Sequence, residues 1–243
     1  EEIVRNGWDM ALVSFDGPEE IHDRCRKTPG AYTTAVRGIL ALNEMKRKHR
    51  SAKPFVLTST TISGVNAQVL PDTFEIGSRL RPDLMVVYLS WFTSESIGKA
   101  HAEILERELG VTPFTWKSYL AEFSQDEAAL FRDALENVRR KKWPFEYLVI
   151  PDLRGDDVAR YFTTPEEMFG FGKCVAPFLM IDVMPNGDVT TCRDFIDVKV
   201  GNITEKPLLE IWNDKPFVRF RKLLLDHGGL LPQCSRCCGL MGF

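Results

Sequence analysis

The chain has 243 residues, of which 44% are hydrophobic and 27% are charged, so it can bury a core and is neither disordered nor fibrous. Its 31 basic and 34 acidic residues give a net charge of -3, which argues against nucleic acid as the main partner. No apolar run approaches the ~18 residues of a membrane span, and Glu1-Glu2-Ile3 does not begin a signal peptide. We therefore predict a cytoplasmic protein with no membrane segment.

The first two thirds of the chain alternate short apolar runs with amphipathic stretches, a pattern typical of a parallel α/β sheet. The predicted strands are Met10 to Phe15, Phe55 to Ile62, Met85 to Trp91 and Phe145 to Ile150. The predicted helices are Tyr32 to Lys48, Leu70 to Leu80, Glu95 to Leu109 and a stretch around Phe131 to Val138. Periodicity does not distinguish an open doubly wound sheet from part of a barrel.

The character of the chain changes after Pro151. Residues 152–173 are polar and rich in glycine and acidic side chains, which is typical of a linker or loop. We therefore predict an α/β domain over residues 1–170 and a small α+β domain over residues 171–243.

The second domain is predicted to begin with a β-hairpin. Phe178 to Val183 and Val189 to Cys192 flank Asn186-Gly187, and both turn residues tolerate the positive φ of a tight hairpin. This register would place Cys192 roughly opposite Ile181. Two short helices, each following a proline, are predicted over Leu208 to Asn213 and Phe217 to Leu225.

Five of the six cysteines lie in the last third of the chain. Cys174 precedes the hairpin, Cys192 ends it, and Cys234 and Cys237 form a CxxC whose spacer lets both sulfurs face one centre. Without a sign of export, this set favours a metal site over disulfides. Four thiolates can hold either zinc or an iron–sulfur cluster, so the spacing leaves both open.

These cysteines and their surroundings carry a family resemblance. The pattern of Cys174, twelve residues, Gly187, four residues and Cys192, followed by Cys234 to Cys238, resembles the SPASM or shorter twitch domain of radical S-adenosylmethionine (SAM) enzymes. Three segments between the cysteines, Val200 to Ile203, Leu209 to Trp212 and Phe217 to Arg221, also resemble that domain.

The resemblance continues upstream. Val13 to Pro18, with Ile21 to Asp23 and Arg26, is similar to the third-strand motif of the radical SAM barrel. Nearly the whole chain is covered. The resemblance therefore implies a partial (β/α)6 radical SAM barrel lacking its first strands, followed by a SPASM/twitch domain.

Two features depart from the family pattern. The CxxxCxxC motif, whose cysteines bind the catalytic 4Fe–4S cluster, does not occur in the sequence. We expect that motif and cluster on residues upstream of Glu1, and we expect the present chain alone not to cleave SAM. The chain also ends five residues after Cys238, which predicts either a one-cluster twitch domain or a shortened C-terminus.

The resemblance also implies site residues. The metal ligands are predicted to be Cys174, Cys192, Cys234 and Cys237, with Cys238 as an alternative ligand or a spare thiol. Lone Cys25 is predicted to be a structural thiol.

Ser14 and Arg26 match positions expected to hold the SAM carboxylate, since Arg presents a bidentate fork to such a group. Thr60, with Thr58 and Ser59, lies on a strand expected to border the same pocket. Asp16 and Gly17 are predicted to form a turn, and His22 and Asp23 to start a helix.

Asp194 is a speculative catalytic base. In the anaerobic sulfatase-maturing branch of the family an acidic residue directly follows the second cysteine, whereas here Arg193 intervenes.

The implied activity is radical chemistry in the full-length protein. A 5′-deoxyadenosyl radical derived from SAM would take a hydrogen atom from a peptide or small molecule, and an auxiliary 4Fe–4S cluster would transfer an electron or bind the substrate. An electron donor such as flavodoxin or ferredoxin is an expected partner. The alternative is a non-catalytic, zinc-stabilised binding module.

Overall fold

The computed structural model describes residues 1–237 and residue 240, and the chain in it divides into two compact units. Residues 1–90 and 123–160 form the first, which we call the sheet unit. The second unit, which we call the cysteine unit, consists of residues 91–122 and of the chain from Tyr161 onward. The boundary after residue 170 expected from the sequence stays a prediction, since these units divide the chain differently.

A four-stranded parallel sheet organises the sheet unit, with strand order β1-β2-β3-β4. Its strands are β1 (Met10–Ser14), β2 (Phe55–Thr61), β3 (Leu84–Tyr88) and β4 (Glu146–Ile150). The predicted α/β fold with a parallel sheet is confirmed. The third strand is shorter than predicted because the pairing ends at Tyr88, and the Ser90 hydroxyl instead donates to the carbonyl of Ile62.

Helices connect the strands and continue into the cysteine unit. They are α1 (Glu2–Arg5), α2 (Glu19–Arg26), α3 (Ala31–His49), α4 (Leu70–Leu80), α5 (Glu95–Leu109), α6 (Gln125–Arg139), α7 (Asp156–Thr163), α8 (Ala176–Leu179), α9 (Leu208–Asn213) and α10 (Lys215–Asp226). Short 3₁₀ turns cover Ala67–Val69, Thr115–Tyr119 and Pro232–Arg236. In the described part of the chain, no helix combines the length and apolar character needed to cross a bilayer.

The two faces of the sheet differ in burial. Alternate side chains of a strand point to opposite faces, and those of Val56, Thr58 and Thr60 in β2 are buried. On β1, Met10 and Leu12 are more than half exposed. The sheet unit is therefore packed by helices mainly against one face of the sheet.

The cysteine unit contains a small antiparallel sheet with strand order β5-β6-β7. Its strands are β5 (Asp182–Val183), β6 (Asp188–Thr190) and β7 (Lys199–Asn202). The predicted hairpin is confirmed, and Gly187 supplies a φ of +85° at its turn.

One detail of the hairpin prediction is wrong. Phe178 and Leu179 belong to α8 rather than to a strand, because the chain turns helically after Pro177. The register pairs Asp182 with Thr190, so Cys192 follows the ladder within one residue of a position opposite Ile181, in rough agreement with the prediction.

The core of the cysteine unit surrounds this sheet. Val189, Val200 and Ile211 are buried there, and Leu105 of α5 belongs to the same apolar cluster. Cys174 and Cys234 pack against the cluster, which places the cysteines at the edge of the core.

Candidate functional site

The structure brings together the four cysteines predicted as ligands. Cys174 lies two residues before α8, Cys192 follows β6, and the 3₁₀ turn Pro232–Arg236 carries Cys234 and leads into Cys237. The pKa of Cys234 is raised chiefly by burial and further by the charges of Cys174, Cys192 and Cys237. These three cysteines therefore lie within electrostatic range of Cys234. Cys174, Cys192 and Cys234 are free thiols, whereas Cys238 lies outside the described residues.

Burial is the main influence on these thiols. It raises the pKa of Cys192 to about 12 and also raises the pKa of Cys174 and Cys234. A buried thiolate without a cation is costly, and several thiolates in one place repel each other. Cys174, Cys192 and Cys234 are therefore expected to be neutral thiols unless a bound metal, which keeps coordinating thiols deprotonated, lies among them.

Main-chain N–H groups are directed at three of the sulfurs. The amide of Leu231 donates to the Cys234 sulfur at 3.4 Å, and that of Ala176 bonds to Cys174. Cys192 accepts from the amides of Asp194 and Phe195. Concave arrangements of such donors are found around iron–sulfur sites, where hydrogen bonds to sulfur tune the cluster.

Two ligand candidates follow buried polar side chains. Thr191 precedes Cys192 and Gln233 precedes Cys234, and they are only 4% and 2% exposed. The Thr191 hydroxyl and both amide atoms of Gln233 have no hydrogen-bond partner among the described residues. The Thr191 hydroxyl, the Gln233 amide N–H and the main-chain amides can all donate hydrogen bonds. The sulfurs of an iron–sulfur cluster accept such bonds, so these groups fit a bound cluster.

Asp194 lies beside the fourth cysteine. Its Oδ2 is 4.0 Å from the Cys237 sulfur, and burial raises the pKa of its carboxyl group, with Arg193 opposing the effect. A role as catalytic base stays a prediction.

In the sheet unit, Ser14 and Arg26 line one cleft of about 500 Å³. Ser14 ends β1, and Arg26 ends α2. Thr28 to Ala31 and His22 complete much of the wall. The structure therefore brings together two of the three residues predicted to bind SAM.

Asp16 organises the polar groups next to this cleft. Its carboxylate is 4% exposed, pairs with the Arg26 guanidinium at 2.5 Å and accepts a hydrogen bond from Thr60 at 3.2 Å. The Asp16 amide donates to Nδ1 of His22, whose pKa is lowered chiefly by burial. Arg26 has five N–H donors, so this pairing leaves some for a ligand carboxylate.

Two predictions about these residues need revision, and a third is not tested by the structure. Asp16 does more than form a turn, because its buried carboxylate links Arg26 to Thr60. His22 does not start a helix, since α2 begins at Glu19. Thr60 is not among the residues that line the cleft, and its hydroxyl is engaged by Asp16 and Asn66, so its contact with SAM stays a prediction.

Asp16 was recognisable in principle, because it follows the carboxyl end of a strand in a parallel sheet, where ligand-binding residues gather. Thr191, Gln233 and the buried Arg236 carry no such sequence signal.

The fold and the two sites define an α/β protein with a parallel sheet and a cysteine-rich unit suited to an iron–sulfur cluster. The model of the SPASM family, an iron–sulfur cluster-binding domain, matches residues 174–238. The chain is 23% identical over 239 residues to the AdoMet-dependent heme synthase of Oleidesulfovibrio alaskensis, covering 97% of this chain and 56% of that protein.

The fold is also similar to the crystal structure of Streptococcus suis SuiB bound to precursor peptide SuiA. The TM-score is 0.51 at 13% identity, over 85% of this chain and 42% of SuiB. The chain thus spans about half the length of these proteins. Together the matches support the resemblance to radical SAM proteins with a SPASM domain that the sequence indicated.

Proposed function

We propose that the chain is part of a radical SAM enzyme in which Cys174, Cys192, Cys234 and Cys237 hold an auxiliary 4Fe–4S cluster. The observation that carries the proposal is the grouping of Cys174, Cys192 and Cys237 within electrostatic range of Cys234, with main-chain hydrogen bonds to three of the four sulfurs. When bound, such a cluster supplies one-electron chemistry or a binding point for substrate. Cys238 is the alternative ligand.

A cluster is favoured over the zinc-stabilised module because the family model that matches residues 174–238 describes an iron–sulfur cluster-binding domain. Four cysteine thiolates are the usual ligands of a 4Fe–4S cluster.

The sheet unit is proposed to be part of a (β/α)6 barrel that binds SAM beside Ser14 and Arg26. Arg26 remains 38% exposed while paired with Asp16, so its fork can reach a ligand in the cleft. Asp16 would hold the guanidinium in place, and the Ser14 hydroxyl would add a donor. SAM and a catalytic 4Fe–4S cluster would supply the radical chemistry of the whole protein.

A peptide is the first candidate substrate, supported by the fold similarity to SuiB, whose structure holds a precursor peptide. A small molecule is the second, supported by the similarity to a heme synthase over 97% of this chain. Flavodoxin or ferredoxin is the proposed electron donor in either case. Asp194 is the proposed base if the reaction needs one.

Anaerobic reconstitution with iron and sulfide tests the cluster site. We expect about four iron and four sulfide ions per chain and broad visible absorption. Cys192→Ser should lose most of the iron, whereas Cys25→Ser, which alters a half-buried thiol of the sheet unit, should retain it.

A colourless protein with one zinc ion per chain would instead support the binding module. Equal iron content in the two variants would exclude Cys192 as a ligand. After reduction, we expect the 243-residue chain to release no 5′-deoxyadenosine from SAM, because the CxxxCxxC motif is absent from its sequence.

A further inference from the structure

Arg236 is a charged side chain enclosed within the cysteine unit. It lies between Cys234 and Cys237 in the sequence and is 0% exposed. Full burial of an arginine requires partners for its N–H donors, because an unpaired buried charge is very costly. The contacts of this side chain therefore bear on how the CxxC loop is held.

The guanidinium of Arg236 donates to main-chain carbonyls on two segments. Nε donates to Tyr161 at 2.7 Å, Nη1 to Glu167 at 2.7 Å and Nη2 to Thr164 at 2.6 Å. Nη1 also donates to the carbonyl of Ser235 at 2.5 Å. One side chain thus joins the CxxC loop to three points within residues 161–169.

Aromatic rings enclose the same guanidinium. Its Cζ lies 4.5 Å from the ring centre of Tyr161, 5.4 Å from Phe169 and 5.6 Å from Phe92. These distances fall within the range of cation–π attraction, which is stronger when the cation is desolvated. Lysine cannot reproduce this arrangement, because its ammonium lacks the planar fork of donors.

The carbonyl partners lie where a helix ends. Tyr161 belongs to the last turn of α7, and Thr164 directly follows that helix. Carbonyls at a helix C-terminus have no partner within the helix, and a basic side chain can satisfy them. Arg236 therefore caps α7 while its own backbone determines the path from Cys234 to Cys237.

We propose that Arg236 is a positioning residue that ties the Cys234–Cys237 loop to residues 161–169, so that cluster binding and the order of that segment are coupled. The inference rests on the proposed function, because it requires a cluster at these cysteines. Cluster ligation by Cys234 and Cys237 would fix the loop between them, and the fixed loop would hold the Arg236 guanidinium in place. The guanidinium would in turn hold the carbonyls of residues 161–169 to which it donates. By linkage, order in residues 161–169 favours cluster binding to the same extent.

Hydrogen exchange on the unaltered chain tests the coupling. Amides of residues 161–169 should exchange about tenfold more slowly in the reconstituted protein than in the cluster-free protein, whereas amides of β2 in the sheet unit should change little. Equal exchange of residues 161–169 in the two forms would overturn the proposal. This measurement needs no variant and decides the question even if substitution at Arg236 prevents folding.

Two lysine substitutions test the side chain itself. Arg236→Lys keeps the charge and loses the fork, and Arg219→Lys is the matched control, since exposed Arg219 bonds to the carbonyl of Glu108 in the same unit. We expect Arg236→Lys to lose iron to a chelator about tenfold faster than the unaltered chain and to change the electron paramagnetic resonance spectrum of the reduced cluster. Arg219→Lys should match the unaltered chain in both.

The results separate two failures. An unaltered chain that binds no cluster contradicts the proposed function. A chain that binds a cluster, with Arg236→Lys unchanged in iron release and in spectrum, overturns the positioning role alone.

Discussion

The two units treat their buried polar groups differently. In the sheet unit, Asp16, Arg26, Thr60 and His22 form one set of mutual contacts. Among the described residues of this unit, buried polar atoms without a hydrogen-bond partner occur on Asp16, Thr58 and Arg139, and those of Asp16 and Arg139 lie in ion pairs. In the described part of the cysteine unit such atoms are more numerous, and they belong to Trp91, His101, Trp116, Thr191, Arg221 and Gln233.

Among the described residues, the sheet unit therefore leaves fewer buried polar atoms without a hydrogen-bond partner than the cysteine unit does. Each buried polar group without a partner costs about 1–3 kcal/mol. The described part of the cysteine unit carries more of these costs than that of the sheet unit, so it has more to gain from a bound cluster. We expect perturbations of the packing and of the charges to cost more there than in the sheet unit, and two matched pairs of variants test this. A third pair, at helix N-caps, is expected to show the opposite order.

The largest difference is expected between two helix glycines. An added Cβ at Gly98 in α5 would lie 2.1 Å from the ring of Trp116, whereas one at Gly38 in α3 would meet no atom within 4 Å. Overpacking should cost Gly98→Ala about 3 kcal/mol of unfolding free energy. Gly38→Ala should gain ~0.5–1 kcal/mol from helix propensity. Urea unfolding measures both changes in free energy, and equal changes for the two variants would contradict the expected difference between the units.

The second pair concerns acid sensitivity. Burial lowers the pKa of His101 from 6.5 to about 4, with the charge of Asp197 opposing the shift. The unfolded chain therefore binds a proton more readily than the folded chain between these pH values. Stability is retained above pH ~6.5 and falls by about 3 kcal/mol as the pH drops towards 4.

His101→Gln should flatten this pH dependence of the unfolding free energy. His22 in the sheet unit is also buried with a lowered pKa, but Asp16 lies beside it and opposes the shift. The unfolding free energy of His22→Gln should therefore still fall at acid pH by nearly as much as that of the unaltered chain. A pH profile of His101→Gln that matches the unaltered chain would show that another group causes the loss.

The smallest effects are expected at two helix N-caps. Here the larger loss of stability is expected in the sheet unit rather than in the cysteine unit. Ser124 forms a complete capping box with Glu127 at the start of α6, whereas Ser94 accepts only from the amide of Ile97 at 3.3 Å. Ser124→Ala should lose about 1 kcal/mol and Ser94→Ala about half of that. A larger loss for Ser94→Ala in thermal unfolding would contradict this ranking.

Periodicity predicted much of the sheet unit. The helix predicted over Tyr32 to Lys48 is α3 (Ala31–His49), and the strand predicted over Phe55 to Ile62 is β2 (Phe55–Thr61). Such elements follow from neighbours in the sequence, since one face of each must be apolar. The short strand β7 (Lys199–Asn202) was missed, because its pairing with β6 depends on a distant partner.

The kind and spacing of Cys174, Cys192, Cys234 and Cys237 were enough to favour a zinc or an iron–sulfur site in the cysteine unit, because four nearby thiols outside a secreted protein suit soft metal ions. The pairing of Asp16 with Arg26 and the burial of Arg236 became visible only in the folded chain. Burial and through-space contacts between residues up to 75 positions apart set these roles, and local sequence patterns carry no record of them.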